Sequence, residues 1–196
     1  MTHVLVTGGA GFIGSHMVDL LIDQGYSVRV LDNLIAGKET NLSQHANNRK
    51  LTLDERDIRA VDAKDAIYKD IDYIYHFAGI GDIVPSIDSP AEYMSVNTQG
   101  TVKVCEGART NSIKKLVYAA SSSCYGIANV PTDESADISL QYPYALSKYL
   151  GECVVLHWNK VYNLPVNVIR IFNAYGTRSK TSGTYGAVFG VFLRQK

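Results

Sequence analysis

Three cysteines, Cys105, Cys124 and Cys153, stand far apart in a chain of 196 residues. An odd number at wide spacing matches neither a disulfide framework nor a CxxC metal site, which points to a reducing cytoplasm and no structural metal. Neither sign of charge is in excess, since Lys plus Arg and Asp plus Glu number 19 each. Without a positive surplus the chain lacks the general attraction to phosphate backbones and anionic lipid that marks nucleic-acid and membrane partners. No apolar run nears the roughly 20 residues that cross a bilayer. The stretch from Val4 to Val6 breaks into glycines too soon for a secretory signal, so a soluble protein is expected. Prolines number only five, and Pro85, Pro90, Pro131 and Pro143 read as punctuation of loops that follow strands. Repeats, linkers and low-complexity segments are missing too, which leaves one main domain.

What is present is 46% hydrophobic side chains and 16 glycines, enough to bury one substantial core. Short apolar runs rich in β-branched residues, at 3–7, 27–31, 50–53, 73–76, 115–119 and 166–171, read as buried parallel strands. Between them, 12–24, 60–69, 91–110 and 143–162 carry apolar residues at helical intervals, with Gly25 placed to end the first helix. The alternation predicts an α/β fold, a doubly wound parallel sheet with helices on both faces. Its ligand crevice lies at the carboxyl ends of the strands.

The segment Thr7-Gly8-Gly9-Ala10-Gly11-Phe12-Ile13-Gly14 joins the first strand to the first helix, where backbone amides and a helix N-terminus can hold a pyrophosphate. It reads either as Gly9-x-Gly11-x-x-Gly14 or as Gly8-x-x-Gly11-x-x-Gly14; the second is favoured, with Gly9 assisting. Asp32 closes the second strand 18 residues beyond Gly14, where a carboxylate accepts from both ribose hydroxyls and repels a 2′-phosphate. NAD is therefore expected rather than NADP, although Lys38 lies nearby. Asp57 and Ile58, after the third strand, are candidates for the adenine amine and ring, while an Asp in such a place is more often a cap or a turn.

Tyr144 and Lys148 lie four residues apart on a predicted helix, which brings phenol and ammonium to one face. A lysine cation and the positive nicotinamide ring would both favour phenolate, giving a base beside a hydride acceptor. On spacing alone such a pair is commonly an exposed surface pair; the glycine loop reverses that weighting. Ser121-Ser122-Ser123 follows the fifth strand at the same crevice, where a hydroxyl can bond a reacting oxygen or merely form a turn. His76 reads as a satisfied strand-end histidine and Cys124 as packing.

Together these motifs, with His76-Phe77-Ala78-Gly79, Asn97-x-x-Gly100-Thr101 and Arg170-Ile171-Phe172-Asn173, resemble the extended short-chain dehydrogenase/reductase family. The likeness is greatest to its UDP-glucose and UDP-N-acetylglucosamine 4-epimerases. The resemblance implies that Gly8, Gly11, Phe12, Ile13 and Gly14 hold the pyrophosphate of NAD. It gives Asp32 and Asn33 the ribose, Asp57 and Ile58 the adenine, and Phe77, Ala78, Gly79, Asn97 and Phe172 the rest of the channel. Ser121, Tyr144 and Lys148 become the catalytic set, also touching cofactor or sugar. Ser86, Ser122, Ser123 and Asn173 are placed near the nucleotide sugar. The implied reaction takes the proton of the sugar 4-hydroxyl onto Tyr144 as the C4 hydride passes to NAD, and returns the hydride to the other face of the ketose.

Family dehydratases carry an Asp-Glu pair where this chain has Ser122-Ser123, because losing water needs a further acid and base; epimerisation is therefore expected. Dehydration, decarboxylation or a non-catalytic NAD-binding module are the alternatives. A homodimer packed through helices 91–110 and 143–162 is implied as well. Residues 1–175 are read as the NAD-binding Rossmann domain and 176–196 as the start of a truncated substrate-binding region, with 186–196 beginning a helix.

Overall fold

The computed structural model describes residues 2–179 and Phe192, so the helix expected over 186–196 lies, apart from that one residue, outside the described part. Six parallel strands form one sheet: β1 (His3–Thr7), β2 (Ser27–Leu31), β3 (Leu51–Asp54), β4 (Tyr73–His76), β5 (Lys115–Ser121) and β6 (Val166–Ile171). Their spatial order is β3-β2-β1-β4-β5-β6. The chain leaves β1 toward one edge and returns at β4 toward the other, so the switch point falls between these neighbours and opens a crevice at their carboxyl ends.

Side-chain alternation along the strands builds a core on each face. Val4 and Val6 of β1 and Val28 and Val30 of β2 pack with Val18, Leu21 and Ile22 of α1 (Phe12–Asp23). Leu5, Leu31, Ile74, Leu116 and Tyr118 face the other way, onto Val104 and Ala108 of α4 (Gly100–Thr110) and Val155 of α5 (Pro143–Tyr162). Gly25, at φ +86°, follows α1 and donates to the Ile22 carbonyl, closing that helix as its sequence predicts.

Two predicted helices are corrected. Residues 60–69 form only the 3-10 turns Ile58–Ala60 and Ala66–Tyr68. The Asp57 and Asp65 carboxylates accept from the amides of Arg59 and Ile67, and Arg29 Nη1 takes the carbonyls of Ala66, Ile67 and Lys69. Side chains that satisfy the backbone locally remove the advantage of a continuous helix. The segment 91–110 is broken into α3 (Pro90–Tyr93), a π-helical turn (Met94–Gln99) and α4, preceded by a short α2 (Ile83–Asp88) that periodicity did not reveal. Pro85 lies inside α2 rather than in a loop, and Pro90 and Pro143 open helices, where a missing amide costs nothing.

Gly151 lets α5 settle onto the sheet. A methyl group there would overlap the Tyr118 hydroxyl and lie 3.0 Å from the Asn97 carbonyl oxygen. Overpacking of this kind costs roughly 1–3 kcal/mol. Gly151→Ala should therefore lower the denaturation midpoint by that order, and adding Tyr118→Phe should restore part of the loss. An unchanged midpoint for Gly151→Ala would show that α5 can shift away freely.

Candidate active site

The loop after β1 is glycine-rich for reasons of space. Gly8 has φ +70°, and a methyl there would lie 2.6 Å from the Ala78 amide nitrogen; one on Gly14 would overlap the Gly8 carbonyl. A Gly9 methyl would lie 2.8 Å from Val30, so Gly9 packs the loop against β2. Gly11 is the N-cap of α1 and supplies no capping side chain, leaving the amides of the first turn at Phe12, Ile13 and Gly14 suited to an anion.

Asp32, 7% exposed, accepts from the Ala10 amide at 2.9 Å and the Leu34 amide at 2.9 Å. A carboxylate has about four acceptor positions, so capacity remains for ribose hydroxyls. Asn33 donates to Asp57, whose carboxylate also binds the Arg59 guanidinium. That pairing holds the Asp57 carboxyl below its ordinary range. Asp57 is thus foremost a turn cap. Ile58, 5% exposed, is spent in the core against Gly100 of α4.

On the other side of the switch point, Phe77 stacks on Tyr75 and the Ala78 amide donates to Thr7 Oγ1. Asn97 is 1% exposed, and its amide ties three segments together. Its Oδ1 accepts from the Ile80 amide at 2.8 Å, and its Nδ2 donates to the Ile80 carbonyl at 3.0 Å and to Ser147 Oγ at 2.9 Å. A π-turn at such a residue is a frequent mark of a functional helix, and here it fixes the Gly79 loop to α5.

The chemistry-bearing side chains converge at the ends of β4, β5 and α5. Tyr144 Oη lies 3.4 Å from Ser121 Oγ, which is 2.8 Å from Ser123 Oγ. The Lys148 ammonium sits 4.6 Å from the centre of the Tyr118 ring. Burial raises the Tyr144 phenol above its ordinary value, the Ser121 hydrogen bond lowers it, and Asp82 raises it again. Burial also presses Lys148 down to about 8, which leaves it mostly protonated at neutral pH. His76 is fully buried between Thr7 Oγ1 at 2.6 Å and Thr101 Oγ1 at 3.0 Å. Thr101 donates to the Asn97 carbonyl, so His76 Nε2 must donate to Thr101 and Nδ1 must accept from Thr7. Burial drives its pKa down to about 3. It is a neutral bracket between strand ends, as its position in the sequence indicates.

Ser147 and Tyr118 were not singled out from the sequence, and Thr7 and Thr101 appeared there only as parts of motifs, with no role of their own. Ser147, fully buried beside Lys148, donates to the Tyr144 carbonyl and anchors the helix to Asn97. A serine embedded between a tyrosine and a lysine gives no signal of its own. Toward the outer end of the crevice, Ser122 is half-buried in the turn after Ser121, while Phe172 (58% exposed) stacks on Tyr125 and Asn173 is exposed. Ser86 is fully buried, and its hydroxyl donates to the Ile83 carbonyl rather than standing free in the crevice. Among the described residues no group of His, Cys, Asp or Glu could hold a metal ion.

A Rossmann-type parallel sheet with a glycine-rich loop at its switch point and a Ser-Tyr-Lys set at the strand ends points to a protein of the short-chain dehydrogenase kind. The chain belongs to the NAD dependent epimerase/dehydratase family, whose model matches residues 4–195. NAD is the cofactor of that family, and the glycine cradle and Asp32 fit it. The chain is 35% identical to a UDP-glucose 4-epimerase of Mycolicibacterium smegmatis over 94% of its own length and 60% of the relative's. It superimposes with a TM-score of 0.93 and 36% identity on a UDP-N-acetylglucosamine 4-epimerase from Methanobrevibacter ruminantium, solved with UDP-N-acetylmuramic acid. That match covers 98% of this chain and 62% of the other. A dTDP-glucose 4,6-dehydratase from Streptomyces venezuelae, solved with NAD and TYD, gives a TM-score of 0.89 at 30% identity, over 99% of this chain and 62% of that one. The chain thus spans about three-fifths of these relatives.

Holding Lys148 in this site costs stability. Its folded pKa of about 8 lies below the ordinary lysine value of 10.5, so between those values the unfolded chain binds the proton and the folded chain does not. Stability from this group must then rise with pH across that window. The penalty at neutral pH is a few kcal/mol, more than the roughly 0.5–2 kcal/mol a cation–π contact returns. Lys148→Met should unfold at or above the wild-type midpoint at neutral pH, and the wild-type-minus-variant stability difference should climb between pH 8 and 10.5. A flat difference would mean that water or a partner keeps the ammonium solvated.

Proposed function

We propose that the intact protein containing this chain catalyses NAD-dependent epimerisation at C4 of a nucleotide sugar, a UDP-hexose, through a transient 4-keto sugar. The observation that carries this reading is the 3.4 Å approach of Tyr144 Oη to Ser121 Oγ at the mouth of the dinucleotide crevice, with Lys148 one turn along the same helix. NAD, when bound, would supply an acceptor and donor of hydride and a positively charged ring.

The residues of this chain do the rest. The first-turn amides of α1 and the Gly8–Gly14 cradle hold the pyrophosphate, and Asp32 accepts from the adenosine ribose. Ser121 holds the sugar 4-oxygen while Tyr144 removes and later restores its proton. Lys148 lends positive charge from a site with little water, where each charge acts strongly. Asn97 and Ser147 keep α5 in register with the crevice. The Ser122-Ser123 pair supplies no carboxylate for elimination. This supports an epimerase over a dehydratase.

Pairing of two subunits through α4 and α5 is part of the proposal. It is supported by the apolar stripe Leu146, Leu150 and Val161, exposed by 36%, 36% and 48%. No helix of the described residues is long and apolar enough to cross a membrane, and the three cysteines are free thiols, which supports a reducing compartment.

The intact protein should interconvert UDP-glucose and UDP-galactose, or their N-acetyl forms, with no change in mass. Tyr144→Phe should lower kcat by about 100-fold or more. Product NMR with mass spectrometry reads both. Loss of water or carbon dioxide would show a dehydratase or decarboxylase instead; NAD binding without turnover would show a binding module. Full activity of Tyr144→Phe would remove the mechanism altogether.

A further inference from the structure

The carboxyl end of β6 carries a buried charge that the chemistry above does not use. Arg170 meets Glu152 of α5 through Nε at 3.0 Å and Nη2 at 2.6 Å, and the two side chains are 17% and 5% exposed. The remaining guanidinium arm, Nη1, donates to Tyr125 Oη at 2.7 Å, and the guanidinium also packs against the Tyr125 ring, 4.8 Å from its centre. Two ions taken from water are an expensive way to join a helix to a sheet, and a hydrophobic pair of similar volume generally serves stability as well or better.

The positions of the three residues explain what such a bond could do. Glu152 extends the stripe Tyr144, Lys148, Glu152, each one turn beyond the last, so it rides on the catalytic helix. Arg170 pairs with Ala120 in the sheet, one residue before Ser121. Tyr125 ends the 3-10 turn that begins directly after Ser121, and its neighbour Cys124 is bonded through its carbonyl to the Ser139 amide. One guanidinium therefore holds the helix that carries the phenol and the turn that follows the serine.

Building on the reading of Ser121 and Tyr144 under Proposed function, we infer that Glu152, Arg170 and Tyr125 form a clamp that sets the distance between Ser121 and Tyr144; they are positioning residues for proton transfer. A planar, bidentate guanidinium fixes angle as well as distance, which an apolar contact or a lysine does not. The Ser121 hydrogen bond lowers the phenol pKa against burial and against Asp82. Loosening the clamp should thus weaken both the orientation and the acidity of Tyr144. Tyr93 from α3 and Tyr118 from β5 also face the phenol, and Lys148 lies one turn along its own helix.

In the intact protein, Glu152→Gln should lower kcat by about 100-fold, the loss expected when a reacting group is displaced by about an ångström, with little change in KM. In a Ser121→Ala background the same substitution should change kcat by no more than about twofold, because the contact through which it acts is already gone. Should Glu152→Gln fail to fold, the paired replacement Glu152→Met with Arg170→Met removes both charges together. It should match or exceed wild-type stability and still lose kcat. Unchanged kcat in either variant, or an equal loss in both serine backgrounds, would overturn the clamp.

A second readout does not need turnover. With carbon-labelled tyrosine, the NMR signal that disappears in Tyr144→Phe reports that phenol in the NAD complex. Its titration should move to higher pH in Glu152→Gln and stay put when Ser121 is already alanine. An unmoved titration overturns the clamp even if the protein proves to modify no sugar nucleotide. A moved titration without turnover upholds the clamp and sets aside the epimerase reading alone.

Discussion

Everything in this molecule is arranged around the gap between β1 and β4, adjacent strands whose connections leave in opposite directions. A parallel sheet that reverses its order there opens at that place, and whatever binds must meet backbone rather than side chains. Gly8 against Ala78 and Gly14 against Gly8 show how closely the backbone packs at this edge. His76 bridges it internally, holding Thr7 at the end of β1 and Thr101 of α4 with one neutral ring. The crevice is therefore rigid at its floor and polar at its rim.

The site opposite the glycine loop is assembled at the expense of stability. Lys148 is buried with its pKa near 8, Tyr144 is desolvated, and Glu152 with Arg170 places a full ion pair below them. None of these would be chosen to stabilise a core, since leucine and methionine do that better. Three costly groups on consecutive turns of one helix mark α5 as the element whose placement matters for chemistry. Asn97, Ser147 and Gly151 then appear as the means of seating it: two bind it sideways, and the third removes the methyl that would hold it off.

Much of this was legible in the sequence, and the failures have physical reasons. The strands and the long helices announce themselves because burial on both faces, or on one stripe, leaves a periodic trace. The glycine loop, Asp32 and the Tyr144 and Lys148 pair stand out as candidates because dinucleotide chemistry demands a fixed order and spacing, whereas the choice of Ser121 among three serines came from the family resemblance alone. The segment 60–69 misled because its helical periodicity is overruled by capping from Asp57, Asp65 and a distant Arg29, which no local pattern encodes. The break of 91–110 at a π-turn was hidden for a similar reason, since Asn97 earns its role only through partners 17 and 50 residues away. Spacing brings lysine and tyrosine to one face but does not reveal how far burial depresses the lysine.

The central claim is that the phenol of residue 144 and the loop of residues 8–14 serve one bound dinucleotide. A crystal structure of the intact protein with NAD tests it most directly. The account predicts the pyrophosphate on the first-turn amides of α1 and the nicotinamide ring facing Tyr144 Oη, close enough that a sugar C4 and its hydroxyl can contact both at about 3–3.5 Å. A nicotinamide directed away from Tyr144, or a pyrophosphate bound elsewhere than this loop, would contradict it.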